Sequence, residues 1–471
     1  MLDRWSADGG YGKALKIGMP LVVSMVSSTV MTFTDRIFLG GYSLNALSAS
    51  VPASVAAFLF LCFFMGVTEY VGVFVAQYTG ACRPHKVGRA IWQGMWFCVP
   101  SGLLLAGFWF VATPLFDLGG HPQAVRELEI VYFRILSLGG LPFLLGLCLS
   151  CFYSGRGLTK TVMVVHMLGA AINIPLDYCL IYGFGPIPEM GIAGAGIATL
   201  VGYTLPTLMY VKLVFTRENE EAYRMRSAWR LDRDLFSRFM RFGLPGGVEM
   251  FLDIFAISFF VFMVGRYGQV ELASTNAVFS IYNLAFMPII GLNITASIMV
   301  GQAMGDRNIG LAAYSTQSVF HMAMAYMAVM GVLFVVFPEF LLNLFRTRGE
   351  AGAGFDDVVE MGVVLMRYAA IFTLADAVAL VYVGALKGAG DTRYVMFTIA
   401  VSSVVFLILP VVVLYMLEVR DIRAPWNCLL AYIVILAVAF VVRFKKGPWK
   451  RIEVIDHASR GKCVEPRDSL G

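Results

Sequence analysis

"ALKIGMPLVVSMVSSTVMTFTDRIFL", residues 14–39, is long and apolar enough to cross a bilayer, yet it carries Asp35 in its last turns. A spanning helix needs about 20 mostly apolar residues. An aspartate at that depth costs about 2.5–3.5 kcal/mol on the insertion scale, so such residues usually face a cavity or a partner. The alternative is a helix-end residue reaching the outer interface, with "DRIFLGG" already turning.

The same kind of run recurs along the chain. About twelve spans are expected, centred near residues 26, 60, 99, 139, 171, 203, 251, 287, 323, 371, 405 and 433. Ten-residue segments of alternating polarity are missing, which argues against a barrel. Of the 471 residues 59% are hydrophobic and only 14% charged, with a mean hydropathy of +0.75. Soluble domains carry about 25% charged residues, so the composition is that of an integral membrane protein.

The net charge of +5 is not a nucleic-acid signature, because Lys and Arg cluster in short segments between apolar runs. Placing both termini in the cytoplasm gives the inner segments about 25 Lys and Arg against about 7 outside. The N-terminal "MLDRWSADGGYGKALK" offers no small-residue cleavage site, so its first apolar run is expected to be a mature helix. The eight cysteines lie in apolar stretches and read as small buried side chains. Cys148 and Cys151 have no second pair to complete a zinc site.

The chain is internally repeated. "IGMP" at 17–20 returns as "FGLP" at 242–245, an offset of 225 that also pairs Gly40 with Gly265, Gly66 with Gly291, Gln77 with Gln302 and Gly80 with Gly305. Further on the offset is 233, pairing Arg134 with Arg367, Gly155 with Gly388 and Thr159 with Thr392. Six spans per half return the chain to its starting side, so the repeats are parallel, about an axis along the membrane normal. The expected organisation is an N-lobe of six helices over 1–215, a cytoplasmic linker at 216–238, a C-lobe of six helices over 239–443, and a basic, disordered cytoplasmic tail at 444–471.

Against that repeat, the acids stand out. Asp35 corresponds to Phe260, so it is no part of the shared scaffold. Asn173 and Asp177 are four apart on one helix face, and Pro175 between them frees a carbonyl nearby. Amide oxygen, carboxylate and carbonyl suit Na⁺, and carboxylates equally take a proton; a structural hydrogen-bonded pair is the other reading. Glu249 and Asp253 are also four apart, and Asp376 stands alone in "FTLADAVALVYVGALKG". Arg134 and Arg367 read as snorkelling scaffold residues. Glu69, near a span end, and the single histidines His166 and His321 rank lower, as does Thr199, whose hydroxyl could add a ligand. The chain contains no P-loop, HExxH, GxSxG or EF-hand motif. It is therefore expected not to be an enzyme, and energy for transport would come from an ion gradient.

The segments "DRIFLGG" (35–41), "VAQYTGACRPHK" (75–86), "GRGLTKTVMV" (155–164), "NIPLDYCLIYGFGPIPEMGIAGAGIAT" (173–199), "FGLPGGVE" (242–249) and "GALKGAGDTR" (384–393) together resemble the MATE (multidrug and toxic compound extrusion) transporters, especially the NorM branch. The resemblance spans roughly residues 12–443. It implies two six-helix lobes around a central cavity, the all-α fold of the MATE/MOP type, and exchange of an organic cation for Na⁺ or H⁺.

Carried over residue by residue, it implies an N-lobe coupling-ion site of Asp35, Asn173, Asp177 and Thr199, and a conformational role for Pro20. In the C-lobe it implies cation or substrate roles for Asp253, Glu249 and Asp376. Asp253 departs from the usual Glu, and Phe372 stands where NorM-like proteins have a Tyr hydroxyl. The expected protein is thus a multi-pass antiporter of the cytoplasmic membrane. Small organic cations and membrane lipids are its expected partners, with no nucleic acid, no cofactor beyond the coupling cation, and a monomeric state. The alternative is a lipid-linked oligosaccharide or peptidoglycan-precursor flippase. Such a protein needs basic cavities, against which the acids argue.

Overall fold

A hydrocarbon solvent offers backbone groups no hydrogen-bond partners, so a spanning segment must satisfy them within itself. The computed structural model, which describes residues 3–345 and 355–456, meets that requirement with helices throughout. Twelve are long and apolar enough to cross a membrane. In the first half these are α1 (Tyr11–Tyr42), α2 (Leu44–Gly80), α3 (Pro84–Phe110), α4 (Gln123–Ser154), α5 (Thr159–Tyr182) and α6 (Ile192–Val214). In the second they are α7 (Arg233–Val264), α8 (Gln269–Gly305), α9 (Ile309–Val336), α10 (Phe355–Ala389), α11 (Thr392–Met416) and α12 (Arg423–Lys446). Every expected span centre falls inside one of them. Large apolar side chains such as Phe33, Leu103, Phe262 and Phe397 are exposed, while serines, threonines and acids are buried, the polarity distribution of a lipid-facing protein.

The chain forms two compact units. One comprises 1–18, 248–300 and 308–453, and in it α10 packs against α9 and α12. The other comprises 19–247, 301–307 and 454–471, and in it α2 packs on α3 and α4, and α5 on α6. Three of the five unit boundaries fall inside helices, in α1, α7 and α8; the other two lie in the α8–α9 connection and after α12. Pro20 and Pro245, the repeated prolines, lie two residues after one such boundary and three before another.

The sequence repeat has a physical counterpart. A Cβ at Gly80 would overlap the backbone of Gln302, and one at Gly305 would overlap the backbone of Gln77. The ends of α2 and α8 therefore meet reciprocally, through two glycines and two glutamines that are each other's repeat mates. Gln302 further donates from Nε2 to the Gly155 carbonyl at 3.0 Å. The contact permits no side chain at either glycine.

Two segments depart from the sequence expectations. The stretch 216–238 is not simply a loop: Arg217–Tyr223 is helical, with Thr216 accepting from the Asn219 amide at 3.3 Å, and α7 begins at Arg233. Nor is the start of the tail disordered. Gly447 takes a left-handed turn (φ 80°) after α12, which returns the chain so that Trp449 is fully buried. Its Nε1 donates to the Phe444 carbonyl at 2.7 Å, with the two rings stacked at 4.6 Å. Val454 and Ile455 are buried, and Asp456 accepts a 2.6 Å bond at its carbonyl from Arg83. Its carboxylate lies 3.5 Å from Arg83, 3.8 Å from Lys86 and 3.9 Å from Arg238. A basic tail hides these few apolar anchors, which is why composition alone misjudges it. The remainder, 457–471, lies outside the described residues.

Two outcomes are expected. Gly80→Val overpacks the α2–α8 contact and should cost about 1–3 kcal/mol or more, read as a lower melting temperature in detergent. Gly107→Ala, with nothing within 4 Å of its Cβ, should leave it unchanged. At Asp456, burial opposes charge, but Lys86, Arg83 and Arg238 outweigh it and hold the carboxyl below its ordinary value. A depressed carboxyl stabilises fully at neutral pH and loses that contribution as pH falls below about 4. Asp456→Asn should therefore raise amide exchange over 452–456 at pH 7, as acid does for the wild type, with less than about 1 kcal/mol of global effect because the pair is part-exposed.

Candidate functional site

Asp35 is placed by an uninterrupted helix. α1 runs through "DRIFLGG" to Tyr42, and Asp35, at 7% exposure, points inward rather than toward an interface. The Tyr132 hydroxyl on α4 donates to its Oδ2 at 3.1 Å, and Oδ1 is buried without a partner. Facing it on α5, Asn173 and Asp177 are 1% and 0% exposed, the shared face that their four-residue spacing predicts. Asp35 lies within electrostatic reach of Asp177. Neither side-chain polar atom of Asn173 and neither carboxylate oxygen of Asp177 has a hydrogen-bond partner.

Helix α6 closes on this group. A Cβ at Gly202 would stand 3.2 Å from Asn173 Nδ2, so the small residue lets the two helices approach at the amide. Thr199, half-buried, is three residues earlier and shares the Gly202 face. Asp35, Asn173 and Asp177 are thus brought together, with Thr199 on the neighbouring helix face. Five buried polar atoms without a protein partner form one cluster, in a fold where such atoms are ordinarily satisfied. Among the described residues no three His, Cys, Asp or Glu side chains gather as a metal site. The donor set here is two carboxylates, an amide and a hydroxyl, which suits a monovalent cation or a shared proton rather than a transition metal.

The second acid group has a different character, because its members are paired. Glu249 (α7) accepts a 2.9 Å ion pair from Lys387 (α10), with both side chains largely buried. Asp253 Oδ1, one turn on, accepts from the Tyr432 hydroxyl on α12 at 3.1 Å. Asp376 on α10 accepts from the Tyr282 hydroxyl on α8, and Asp253 is within electrostatic reach of both Glu249 and Asp376. Phe372, expected to lose a hydroxyl at this site, packs edge-on against Tyr282 at 4.8 Å between centroids. The hydroxyl missing at 372 is thus supplied from α8.

Sequence reading missed four contributors: Tyr132, Tyr282, Tyr432 and Lys387. A tyrosine in an apolar run reads as bulk, so only Lys387, a base inside a span, carried a usable signal. The two single histidines and Arg134 are accounted for otherwise. His166 shares a 2.6 Å bond with Ser24, and His321 is bonded by Tyr11 at 2.9 Å. Arg134 donates to the Trp109 carbonyl and to Thr113. Cys148 and Cys151 are free and buried.

Asp177 makes no bond that its removal would break, while its charge is costly to bury. Asp177→Asn is therefore expected to melt at or above the wild-type temperature in detergent, the pattern of a residue held for work rather than for folding. A drop of more than about 2 kcal/mol would instead mark it as structural.

Comparison with known proteins agrees with this architecture. The MatE family model matches residues 20–179 and 245–413, one stretch in each half. A Brucella suis biovar 1 protein named "Probable multidrug resistance protein NorM" is 27% identical over 399 residues, covering 83% of each chain. The "Multidrug resistance protein NorM" of Photobacterium profundum is 25% identical over 382 residues, covering 80% of this chain and 82% of that one. Among solved structures, an outward-facing multidrug resistance MATE family transporter of the MOP superfamily superposes with a TM-score of 0.86 at 18% identity, over 96% of this chain and 99% of that one. Twelve membrane-spanning helices and a family match across both halves identify this chain as a multi-pass membrane protein belonging to the MatE family.

Proposed function

We propose that the protein is a secondary active antiporter that exports organic cations from the cytoplasm in exchange for Na⁺ or H⁺. The observation that carries this reading is the buried set of unpartnered polar atoms on Asp35, Asn173 and Asp177. One oxygen of Asp35, both of Asp177 and the Asn173 amide, all without hydrogen-bond partners, are what a cation or a proton would satisfy, with Thr199 completing the shell. Relatives named multidrug resistance proteins, aligned over most of their length, support a role in multidrug efflux.

Coupling follows from differential affinity. An ion that binds the N-lobe acids more tightly in one conformation shifts the population toward it, and an ion that binds both equally does nothing. Pro20, near a unit boundary inside α1, is the position where that helix can change shape, because proline removes a ladder hydrogen bond there. Asp253, Asp376 and Glu249 are assigned to cationic substrate, with Lys387 as the counter-charge that a cation displaces from Glu249. The excess of Lys and Arg in one set of loops supports an inner-membrane orientation with both termini in the cytoplasm.

The test is uptake of a fluorescent organic cation into proteoliposomes, with Na⁺ and pH gradients imposed separately. Uptake should respond to at least one gradient. Asp35→Asn should reduce the driven component about tenfold or more, equivalent to losing about 1.4 kcal/mol of differential ion affinity. Transport indifferent to both gradients, or unchanged in Asp35→Asn, would overturn the reading.

A further inference from the structure

One carboxylate outside the sites above is more deeply buried than Asp35. Glu129, six residues into α4, has no exposed surface. Its Oε1 shares a 2.8 Å bond with His121 Nδ1, and its Oε2 is buried without a partner. His121, in the connection before α4, has a side chain 42% exposed. An exposed imidazole thus touches a carboxylate that water does not reach.

Glu129 is also three residues before Tyr132, on the same face of α4. Tyr132 is the residue whose hydroxyl bonds Asp35 Oδ2, while Asp35 Oδ1 is unpartnered. One turn of α4 thus separates the carboxylate that meets an exposed imidazole from the tyrosine that meets Asp35. Around Tyr132 the packing is apolar, with Leu39, Ala49, Phe116 and Ile192 in the same cluster. We propose that His121 and Glu129 form a proton-collecting station on the outer side, through which the Asp35 site exchanges protons with the external solution. This rests on the antiporter reading and on its orientation, which puts the α3–α4 connection outside.

The transfer is a simple one. An imidazolium formed at the surface passes its Nδ1 proton to Glu129 Oε1, leaving neutral imidazole and a neutral carboxylic acid. The acid then gives its proton inward toward Asp35 and returns to carboxylate. Few other charges compete there. The helix Ala112–Asp117 contributes Asp117, which is paired with Arg126 of α4 at 2.9 Å. The facing parts of α2 (44–61) and α6 (192–200) carry no charged residue, and His85, Lys86 and Arg89 of α3 sit at its opposite end. Arg36 follows Asp35 on α1, Glu127 accepts from Gln123, and Arg134 is held at Trp109 and Thr113.

The experiment varies external pH at fixed internal pH, and then the reverse, in oriented proteoliposomes of wild type, Glu129→Gln, Glu129→Asp and His121→Gln. A wild type indifferent to pH on both sides would refute proton coupling, and with it this station, while leaving Na⁺ exchange standing. With a pH-responsive wild type, Glu129→Gln should shift or flatten the external profile by about one pH unit or more and leave the internal profile intact. Glu129→Asp should restore it, and His121→Gln should give a smaller shift of the same kind. An unchanged external profile, or equal changes on both sides, would overturn the proposal. Should Glu129→Gln fail to fold, pH-difference infrared spectra of wild type and His121→Gln decide. A buried carboxyl band whose titration moves with His121 is expected, and one indifferent to it refutes the station.

Discussion

A carboxylate taken out of water must be given partners or neutralised, and this constraint orders the rest of the molecule. The hydrocarbon forces the backbone into twelve helices, and the helices then decide which side chains meet. In the acid group of the unit that holds α10 and α12 the partners are built in: Lys387 for Glu249, Tyr432 for Asp253, Tyr282 for Asp376. At Asp35 and Asp177 they are largely withheld, with one tyrosine hydroxyl on Asp35 and none on Asp177. Equal chemistry is therefore held in two states of readiness. A paired acid releases its partner only to a competing charge, whereas an unpaired one takes any small cation that arrives.

The division between scaffold and working parts follows the repeat. Glycines that recur at fixed spacing bring the ends of α2 and α8 together, and neither could gain a side chain without meeting the backbone of the other helix. The acids do not recur: the repeat counterpart of Asp35 is Phe260, itself fully buried. Symmetry thus fixes where helices run, and departures from symmetry fix what happens between them.

Much of this was legible before any coordinates. Twelve spans follow from apolar runs, because hydrocarbon thickness sets a length that composition reveals directly. Asn173 and Asp177 were legible as a pair because four residues is one helical turn. The partners were not legible. Tyr132 meets Asp35 across 97 positions of sequence, and nothing in an isolated apolar stretch distinguishes a tyrosine that packs from one that donates. The tail misled for the opposite reason: its charges suggested solvent, while one left-handed glycine turn and one tryptophan were enough to dock it.

The reciprocal contact of Gly80 with Gln302 and Gly305 with Gln77 has a consequence for origin. A patch that binds its own counterpart in the same way on both sides is isologous, the kind of surface two identical chains share across a dyad. A chain of half this length would carry one such glycine and one such glutamine, which is all that a symmetric pair of chains needs to make the same contact.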